Sequence, residues 1–496
     1  MKNEQKIKKH SKTLPSPFLS ALPILALVGL LYVTIRTFGP DALSGGSQIV
    51  LLTSTAIASM IAMSFCKVKW HHIEEAICKN ILGVATAVII LLLIGALSGS
   101  WMVSGIVPTM IYYGMQIIHP SFFLASSCVI CAVVSLMTGS SWTTIATIGV
   151  ALMGIGEAQG FSSGWIAGAI ISGAYFGDKI SPLSDTTVLA SSVTGTPLFS
   201  HIKYMTYTTV PSVIITLTIF VIAGFTHTST ASGQIVEFSE SLKNTFCVSP
   251  WLLSVPIITA VLIAKKVPSL ITLFVSAVLA GICALVSQPD LLKEVAGNSI
   301  DGNVLFKGVL MTYYGSTGID TGNEALNSLV MTRGMAGMLN TVWLIICAMC
   351  FGGAMQASGM LESLPSVFVR FMKRGLGMVT STVCSGLFLN LVTADQYISI
   401  ILTGNMFKEV YKQNGYESRL LSRTTEDAVT VTSVLIPWNS CGMTQATILG
   451  VSTLTYLPYC FFNILSPLMS IVVMAIGFKI KRINPESIKE VGFVSC

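Results

Sequence analysis

Ionisable side chains interrupt the apolar sequence within one segment, residues 177–187. The segment reads Gly-Asp-Lys-Ile-Ser-Pro-Leu-Ser-Asp-Thr-Thr, so Asp178, Lys179 and Asp185 lie between the apolar stretches 164–176 and 207–224. Charged side chains in apolar surroundings usually face the interior of a helix bundle or a water-filled cavity, because exposing them to hydrocarbon is costly. We therefore expect these charges to line an internal site.

Pro182 breaks the backbone in the middle of this segment. Proline has no N–H, and its ring clashes with the carbonyl four residues earlier, which here belongs to Asp178. The residue before it, Ser181, is biased away from helical geometry. The pattern predicts a broken helix with carboxylates, hydroxyls and a freed carbonyl, which are the hard oxygen ligands that suit a small cation such as Na⁺.

The composition determines the surroundings of this site. The chain has 496 residues, of which 52% are hydrophobic and only 10% are charged, whereas soluble domains contain about 25% charged residues. Several apolar runs are long enough to span a bilayer, so we predict an all-α polytopic membrane protein. The net charge of +6 comes from Lys and Arg in short loops, a pattern typical of cytoplasmic segments rather than of a nucleic-acid partner.

Hydropathy divides the chain into two transmembrane halves, residues 18–225 and 250–478, joined by a polar loop at 226–249. The basic N-terminus, 1–17, and the basic tail, 479–496, are expected to be cytoplasmic. We expect eleven to thirteen membrane segments, some of them broken helices or re-entrant hairpins.

A shift of 255 positions superimposes landmarks of the two halves. The matching pairs are Thr138 with Thr393, Trp142 with Tyr397, Pro182 with Pro437, Ser140 with Asp395, Ser184 with Asn439, and Asp185 with Ser440. Secondary transporters built from two related halves, often inverted repeats, bring their interrupted helices together near the bilayer midplane. We therefore expect one cavity surrounded by Ser140–Thr144, Asp178–Thr186, Asp395 and Asn439–Ser440.

The residue types at this cavity predict exchange of a cation for protons. Asp178 and Asp185 would form a shared carboxylate pair that holds either Na⁺ or protons, since two close carboxylates do not readily stay charged together. Asp395 would be a third member or the counter-ion of Lys179. The expected neutral ligands are Ser140, Thr186, Asn439 and Ser440.

Other acidic residues point less directly to a site. Glu426 and Asp427 begin an apolar run near Arg423, and we expect them to be a first-turn pair favoured by the helix dipole. Glu157 lies among glycines, and its pattern suits a helix interface as well as the cavity.

Three motifs are similar to those of NhaC-type Na⁺/H⁺ antiporters. They are the segment 177–187, Thr321-Gly322-Asn323-Glu324-Ala325-Leu326 with the following Arg333-Gly334-Met335, and Pro437-Trp438-Asn439. The resemblance extends roughly from Ser47 to Phe478. It implies a bacterial inner-membrane antiporter with inverted repeats, in which Asp178, Ser184, Asp185 and Thr186 carry ion binding or proton exchange.

The same resemblance leaves a second function open. The family includes proteins similar to malate/lactate exchangers, and an organic anion could bind at half-helix N-termini after Pro182 and Pro437. A channel would lack the coupling that a proton-holding carboxylate pair provides. No Walker sequence or catalytic motif is present, so we expect neither an ATP-driven pump nor an enzyme, and no cofactor besides the transported ions. The sequence leaves homo-oligomerisation open.

Overall fold

The computed structural model describes residues 15–38, 45–226, 232–265, 267–297, 303–321, 327, 330–363 and 375–482. Three regions singled out by the sequence lie wholly or largely outside these residues. They are the basic N-terminus, the motif residues 322–326 and the basic loop at 370–374. The polar loop and the basic tail are described in part.

Helices in the first half vary widely in length, and the shortest of them surround the segment that Pro182 interrupts. In chain order they are α1 Pro17–Phe38, α2 Gly46–Ser64, α3 Trp70–Gly83, α4 Ala85–Val103, α5 Ile106–Ile117, α6 Phe123–Thr138, α7 Ser141–Thr144, α8 Val150–Ala158, α9 Ser163–Ile180, α10 Asp185–Thr194 and α11 Leu198–Thr226. A π-helical turn, Ile145–Gly149, joins α7 to α8.

The second half follows the connecting helix α12, Ser232–Thr245. Its helices are α13 Ser254–Ala264, α14 Ser269–Ser287, α15 Pro289–Val295, α16 Val304–Tyr314, α17 Gly334–Ala357, α18 Met360–Ser363, α19 Gly375–Thr393, α20 Gln396–Gln413, α21 Ser418–Thr425, α22 Ser440–Leu449, α23 Thr453–Tyr456 and α24 Phe461–Ile476. A second π-helical turn, Glu426–Thr430, follows α21.

Eight described helices are long and apolar enough to cross a membrane, and two bent helix pairs raise this number to ten. The expected eleven to thirteen segments also included the interrupted stretches, whose helices are too short or too polar for this criterion. The predicted class, an all-α polytopic membrane protein, is confirmed.

Local structure repeats at the 255-residue shift that the sequence predicts. Helices α10 and α22 are both ten residues long, start at positions 185 and 440, and end before Gly195 and Gly450, which have φ of 74° and 67°. The residues before the two earlier helix caps, Gly139 and Ala394, also share the left-handed conformation, with φ of 65° and 55°. The two halves are therefore related in backbone geometry; their inverted orientation in a bilayer stays a prediction.

Close packing of α6 against α9 orients the interrupted segment. A Cβ at Gly173 would lie 2.0 Å from the carbonyl oxygen of Cys128, and one at Gly177 would lie 2.2 Å from that of Ala132. Small residues four apart let two membrane helices approach this closely. The contact positions the last turn of α9, which carries Asp178 and Lys179.

Candidate cation site

Four helices, α7, α10, α20 and α22, begin around the same point, and each is capped by a residue that the repeat singled out. The side-chain oxygens of Ser140 and Ser184 accept from the backbone N–H of Thr143 (3.2 Å) and Thr187 (3.4 Å). Those of Asp395 and Asn439 accept from Ile398 (2.9 Å) and Cys441 (3.1 Å). Ser, Asp and Asn are preferred at this position because they satisfy N–H groups that lack a helical partner.

The starts of these helices line one cavity of about 410 Å³, which we call the cation cavity. The predicted site residues on its wall are Ser140, Asp178, Asp185, Thr186, Asp395 and Ser440. Two predicted residues, Ser184 and Asn439, are buried helix caps behind the wall. Because a helix N-terminus carries partial positive charge, the four ends stabilise the carboxylates gathered here.

Asp178 has one carboxylate oxygen that is satisfied and one that is not. Its Oδ2 accepts from the backbone N–H and the hydroxyl of Ser141, at 3.2 and 2.8 Å. Its Oδ1 is buried and has no hydrogen-bond partner among the described residues. A buried oxygen left in this way costs free energy unless a cation, a proton or water satisfies it.

Asp185 differs from Asp178 in burial, because its side chain is exposed to the cavity. Its Oδ2 accepts from the hydroxyl of Tyr397 at 2.7 Å, and its Oδ1 accepts from the N–H of Thr186 at 2.9 Å. The structure therefore brings Asp178 and Asp185 to one cavity, one of them buried and the other accessible.

Asp395 both caps a helix and contributes a carboxylate to the cavity wall. It caps α20 through Oδ1, and its Oδ2 accepts from the hydroxyl of Ser440 at 3.4 Å. It is buried on the cavity wall. Asp395 and Ser440 are the counterparts of Ser140 and Asp185 at the 255-residue shift, and all four line the cavity.

The carbonyls four residues before Pro182 and Pro437 cannot accept from these prolines, and each accepts one other hydrogen bond instead. The carbonyl of Asp178 accepts from the N–H of Ser181 at 3.1 Å, and that of Ser433 accepts from Ile436 at 3.4 Å. The chain turns tightly before each proline. The backbone N–H of the residue three positions after the carbonyl therefore replaces the N–H that proline lacks. Each carbonyl keeps at most one lone pair for another ligand.

Lys179 does not pair with Asp395, and that prediction is wrong. Its ammonium forms a buried ion pair with Asp427 and donates to the hydroxyl of Ser466 at 2.8 Å. Both charged side chains are fully buried. Because Lys179 follows Asp178 in the last turn of α9, its side chain leaves the helix on a different face and points away from the cation cavity.

The sequence suggested that Glu426 and Asp427 begin a helix as a first-turn pair, and the structure places them instead after the end of α21. They occupy the π-helical turn after α21 and are fully buried. The hydroxyl of Thr186 lies 3.5 Å from Oε1 of Glu426, which links this carboxylate to the cavity wall. The missed signal was the spacing of Arg423 and Asp427: a charge pair four residues apart beside a long apolar run also fits a buried helix face.

Arg423 completes this buried charge group. Its guanidinium is fully buried, lies 4.0 Å from Asp427 and stacks over the ring of Tyr204 at 4.8 Å. Buried charges persist only where they are paired. The group therefore ties α9, α11, α21 and α24 together directly behind the cation cavity.

Comparison with known proteins gives the same assignment over nearly the whole chain. The sequence profile described as the Na⁺/H⁺ antiporter family matches residues 10–188 and 173–478. The chain is 36% identical to the malate-2H⁺/Na⁺-lactate antiporter of Bacillus subtilis, over 86% of this chain and 88% of that protein. It is 34% identical to the Na⁺/H⁺ antiporter NhaC of Alkalihalophilus pseudofirmus, over 92% and 96% of the two chains.

The matches cover every residue that lines the cation cavity. They identify the chain as a transporter rather than an enzyme. This multi-pass membrane protein belongs to the Na⁺/H⁺ antiporter family.

Proposed function

We propose that the chain exchanges Na⁺ for protons in the cation cavity, with Asp178 and Asp185 as the groups that hold either ion. The observation that carries this proposal concerns Asp178, which lines the cavity. Its Oδ1 is a buried carboxylate oxygen without a hydrogen-bond partner among the described residues. Either a cation or a proton would satisfy this oxygen, and the two cannot occupy it together.

Further oxygens on the wall complete the coordination shell that we propose. Ser140, Thr186, Asp395 and Ser440 lie on the same wall and offer hydroxyl, carboxylate and backbone oxygens. Oxygen donors of this kind suit hard cations. Ser184 and Asn439 support this shell indirectly, because they cap α10 and α22. The first turns of these two helices carry Asp185, Thr186 and Ser440.

Competition for the same oxygens couples the two ions. Lowering the pH fills the carboxylates with protons and weakens Na⁺ binding, and Na⁺ at higher pH displaces the protons by mass action. Movement of one half-derived unit against the other would then expose the loaded cavity to opposite sides of the membrane.

Organic-acid exchange with Na⁺ and H⁺ as coupling ions is the second candidate. One observation favours it: four helix N-termini line a cavity of about 410 Å³, and such ends bind anions as readily as they stabilise carboxylates. One relative is named as a malate/lactate antiporter. A small carboxylate would then bind beside the cation.

Basic residues indicate which side of the membrane faces the cytoplasm. The basic loop with Lys67 and Lys69 follows the second membrane helix, and Lys79 lies in α3 directly after this loop. Positive residues favour the cytoplasm. We propose a bacterial inner-membrane protein with both termini in the cytoplasm and transmembrane halves at 18–225 and 250–478.

Proteoliposomes with an internal pH dye and an imposed pH gradient test the function. Na⁺ alone should drive proton movement in the parent protein, and Asp178→Asn should reduce it at least tenfold, because the amide cannot exchange a proton. Asp290→Asn, at an exposed residue of α15, is the matched control. Exchange that persists in Asp178→Asn would contradict the site, and a response only with malate or lactate would select the second candidate.

A further inference from the structure

A second cavity of about 530 Å³ lies beyond the cation cavity. We call it the Glu157 cavity. Its polar wall residues include Ser98, Glu157, Arg333, Asn340, Thr341 and Thr447. None of them belongs to the cation cavity, so the proposed exchange site does not account for them.

Helix α4 shows where the two cavities lie relative to each other. Ala87 and Ile90 line the cation cavity, whereas Ile94 and Ser98, further along the same membrane-spanning helix, line the Glu157 cavity. Four residues of α-helix advance about 6 Å. The cavities therefore follow one another at successive depths, with roughly one helical turn between them.

Two other helices give the same order. On α17, Ile345 lines the cation cavity and Thr341 lines the Glu157 cavity. On α22, Cys441 lines the first cavity and Thr447 the second. Three helices thus pass both cavities in succession, as the walls of one pathway would.

An apolar layer closes the pathway between the cavities. Leu91, Leu344, Ile345 and Met443 are at most 2% exposed and belong to one buried hydrophobic cluster. The hydroxyls of Thr341 and Thr447 lie 2.6 Å apart and join α17 to α22 beside this layer. A dry layer one turn thick stops a hydrated ion but needs only a small helix displacement to open.

The charges of the Glu157 cavity suit a cation. Glu157 lies in the last turn of α8, and the C-terminal residues of α22 from Ala446 to Leu449 form another part of the wall. Helix C-termini carry partial negative charge and attract cations. Arg333, at the start of α17, is the positive group on the wall.

We propose that the Glu157 cavity is the second mouth of the cation pathway, and that Met443 and Leu344 form the gate between it and the cation cavity. This inference rests on the proposed exchange function for the identity of the ion. The arrangement of mouth, gate and site rests on the lining residues alone, and it is testable without transport.

Cysteine accessibility tests the two mouths. Single cysteines at Ala87 and Ser98 would be placed on a background without native cysteines and exposed to a membrane-impermeant cationic thiol reagent, in vesicles of each orientation. Lys69→Cys marks the side of the basic loop, and Ile89→Cys, which is exposed on α4 but lines neither cavity, is the unreactive control.

We expect Ala87→Cys to react from the side of Lys69→Cys and Ser98→Cys to react only from the opposite side. Reaction of both from the same side, or of Ser98→Cys from neither side, would overturn the second mouth. Because labelling needs no ion flux, this failure is distinguishable from failure of the exchange function.

Truncation of the gate tests Met443 in the otherwise native protein. Met443→Ala should let an imposed Na⁺ gradient collapse at least fivefold faster than in the parent without matching proton movement. Met349→Ala is the control, because Met349 is buried in the same cluster but lines neither cavity. Unchanged coupling in a folded Met443→Ala protein would overturn the gate.

Discussion

Asp178 and Asp185 differ in their surroundings although they lie seven residues apart in one segment. Asp178 is buried and half satisfied by Ser141, while Asp185 is exposed to the cavity and accepts from Tyr397. A buried carboxylate is the harder of the two to keep charged. We therefore infer that Asp178 is the residue whose occupancy alternates between proton and cation, with Asp185 drawing cations into the cavity.

Ser141→Ala tests the support of Asp178. Loss of the 2.8 Å hydroxyl donor destabilises the charged carboxylate and so favours its protonated form. The Na⁺ concentration for half-maximal exchange at a fixed neutral pH should rise about tenfold, since a charge-assisted hydrogen bond contributes about 1.5 kcal/mol. Titration of Na⁺-driven dye response measures this. Ser191→Ala, in α10 away from the cavity wall, should leave the value unchanged.

Lys179 and Asp427 provide a second test at the scale of the residue. Lys179→Met leaves Asp427 buried beside Arg423 alone, and breaking a buried ion pair costs about 3–5 kcal/mol. The unfolding temperature of the Lys179→Met protein in detergent should therefore fall. The double variant Lys179→Met/Asp427→Asn should lose less stability than the two single variants lose in sum.

The exposed pair Lys293–Asp290 is the matched control for this cycle. Exposed ion pairs contribute little, so Lys293→Met should leave the unfolding temperature unchanged. Additive losses in the Lys179 and Asp427 variants would show that the two side chains do not depend on each other.

At the scale of the element, the cavity exists because helices are interrupted around it. Continuous helices across residues 139–142, 181–184, 394–396 and 436–440 would hide their backbone donors and leave no cavity. Instead, left-handed residues at Gly139 and Ala394 and prolines at Pro182 and Pro437 end one helix and allow a capped helix to begin. The capped ends then bring both hydroxyl groups and the positive ends of helix dipoles to the cavity wall.

Gly177→Ala tests how α9 is held. Its Cβ would lie 2.2 Å from the carbonyl oxygen of Ala132, so α6 and α9 must separate, at a cost of about 1–3 kcal/mol. We expect a lower unfolding temperature and slower Na⁺-driven exchange, because Asp178 follows directly. Gly29→Ala, where nothing lies within 4 Å, should be neutral or slightly stabilising. A Gly177→Ala protein as stable and active as Gly29→Ala would contradict this account.

At the scale of the molecule, the cation cavity is shared by both halves, and neither half contains it alone. Ser141 and Asp178 come from the first half, Tyr397 and Ser440 come from the second, and the hydrogen bond from Tyr397 to Asp185 joins them. A cation bound between the halves should therefore stabilise the assembled protein.

Thermal unfolding in detergent checks this stabilisation. Na⁺ should raise the unfolding temperature of the parent protein, since a ligand at 100 times its Kd adds about 2.7 kcal/mol to the folded state. The effect should shrink as the pH falls, because protons compete for the carboxylates. The Asp178→Asn protein should not show the Na⁺-dependent rise in unfolding temperature. Choline, a cation too large to replace Na⁺, should change the unfolding temperature of neither protein. An equal shift in both proteins would place Na⁺ elsewhere.

Much of this architecture is determined by the sequence itself. Low charge and long apolar runs require a membrane and helices, since backbone groups in hydrocarbon must be satisfied internally. The 255-residue shift also paired Ser140 with Asp395 and Ser184 with Asn439. All four residues cap helices in the structure, because local capping chemistry depends on residue type.

The partners of the charged residues were decided only by the tertiary structure. Lys179 pairs with Asp427, 248 positions away, and no local pattern distinguishes Asp427 from Asp395 as its counter-ion. Helix packing selects the partner, because the face of α9 that carries Lys179 meets Asp427 in the π-helical turn after α21 and Ser466 in α24 rather than the cavity. The same packing decides that Asp178 keeps one free oxygen and that an apolar layer separates two cavities. Spacing along the chain specifies which groups are available, and only the assembled helices specify which of them meet.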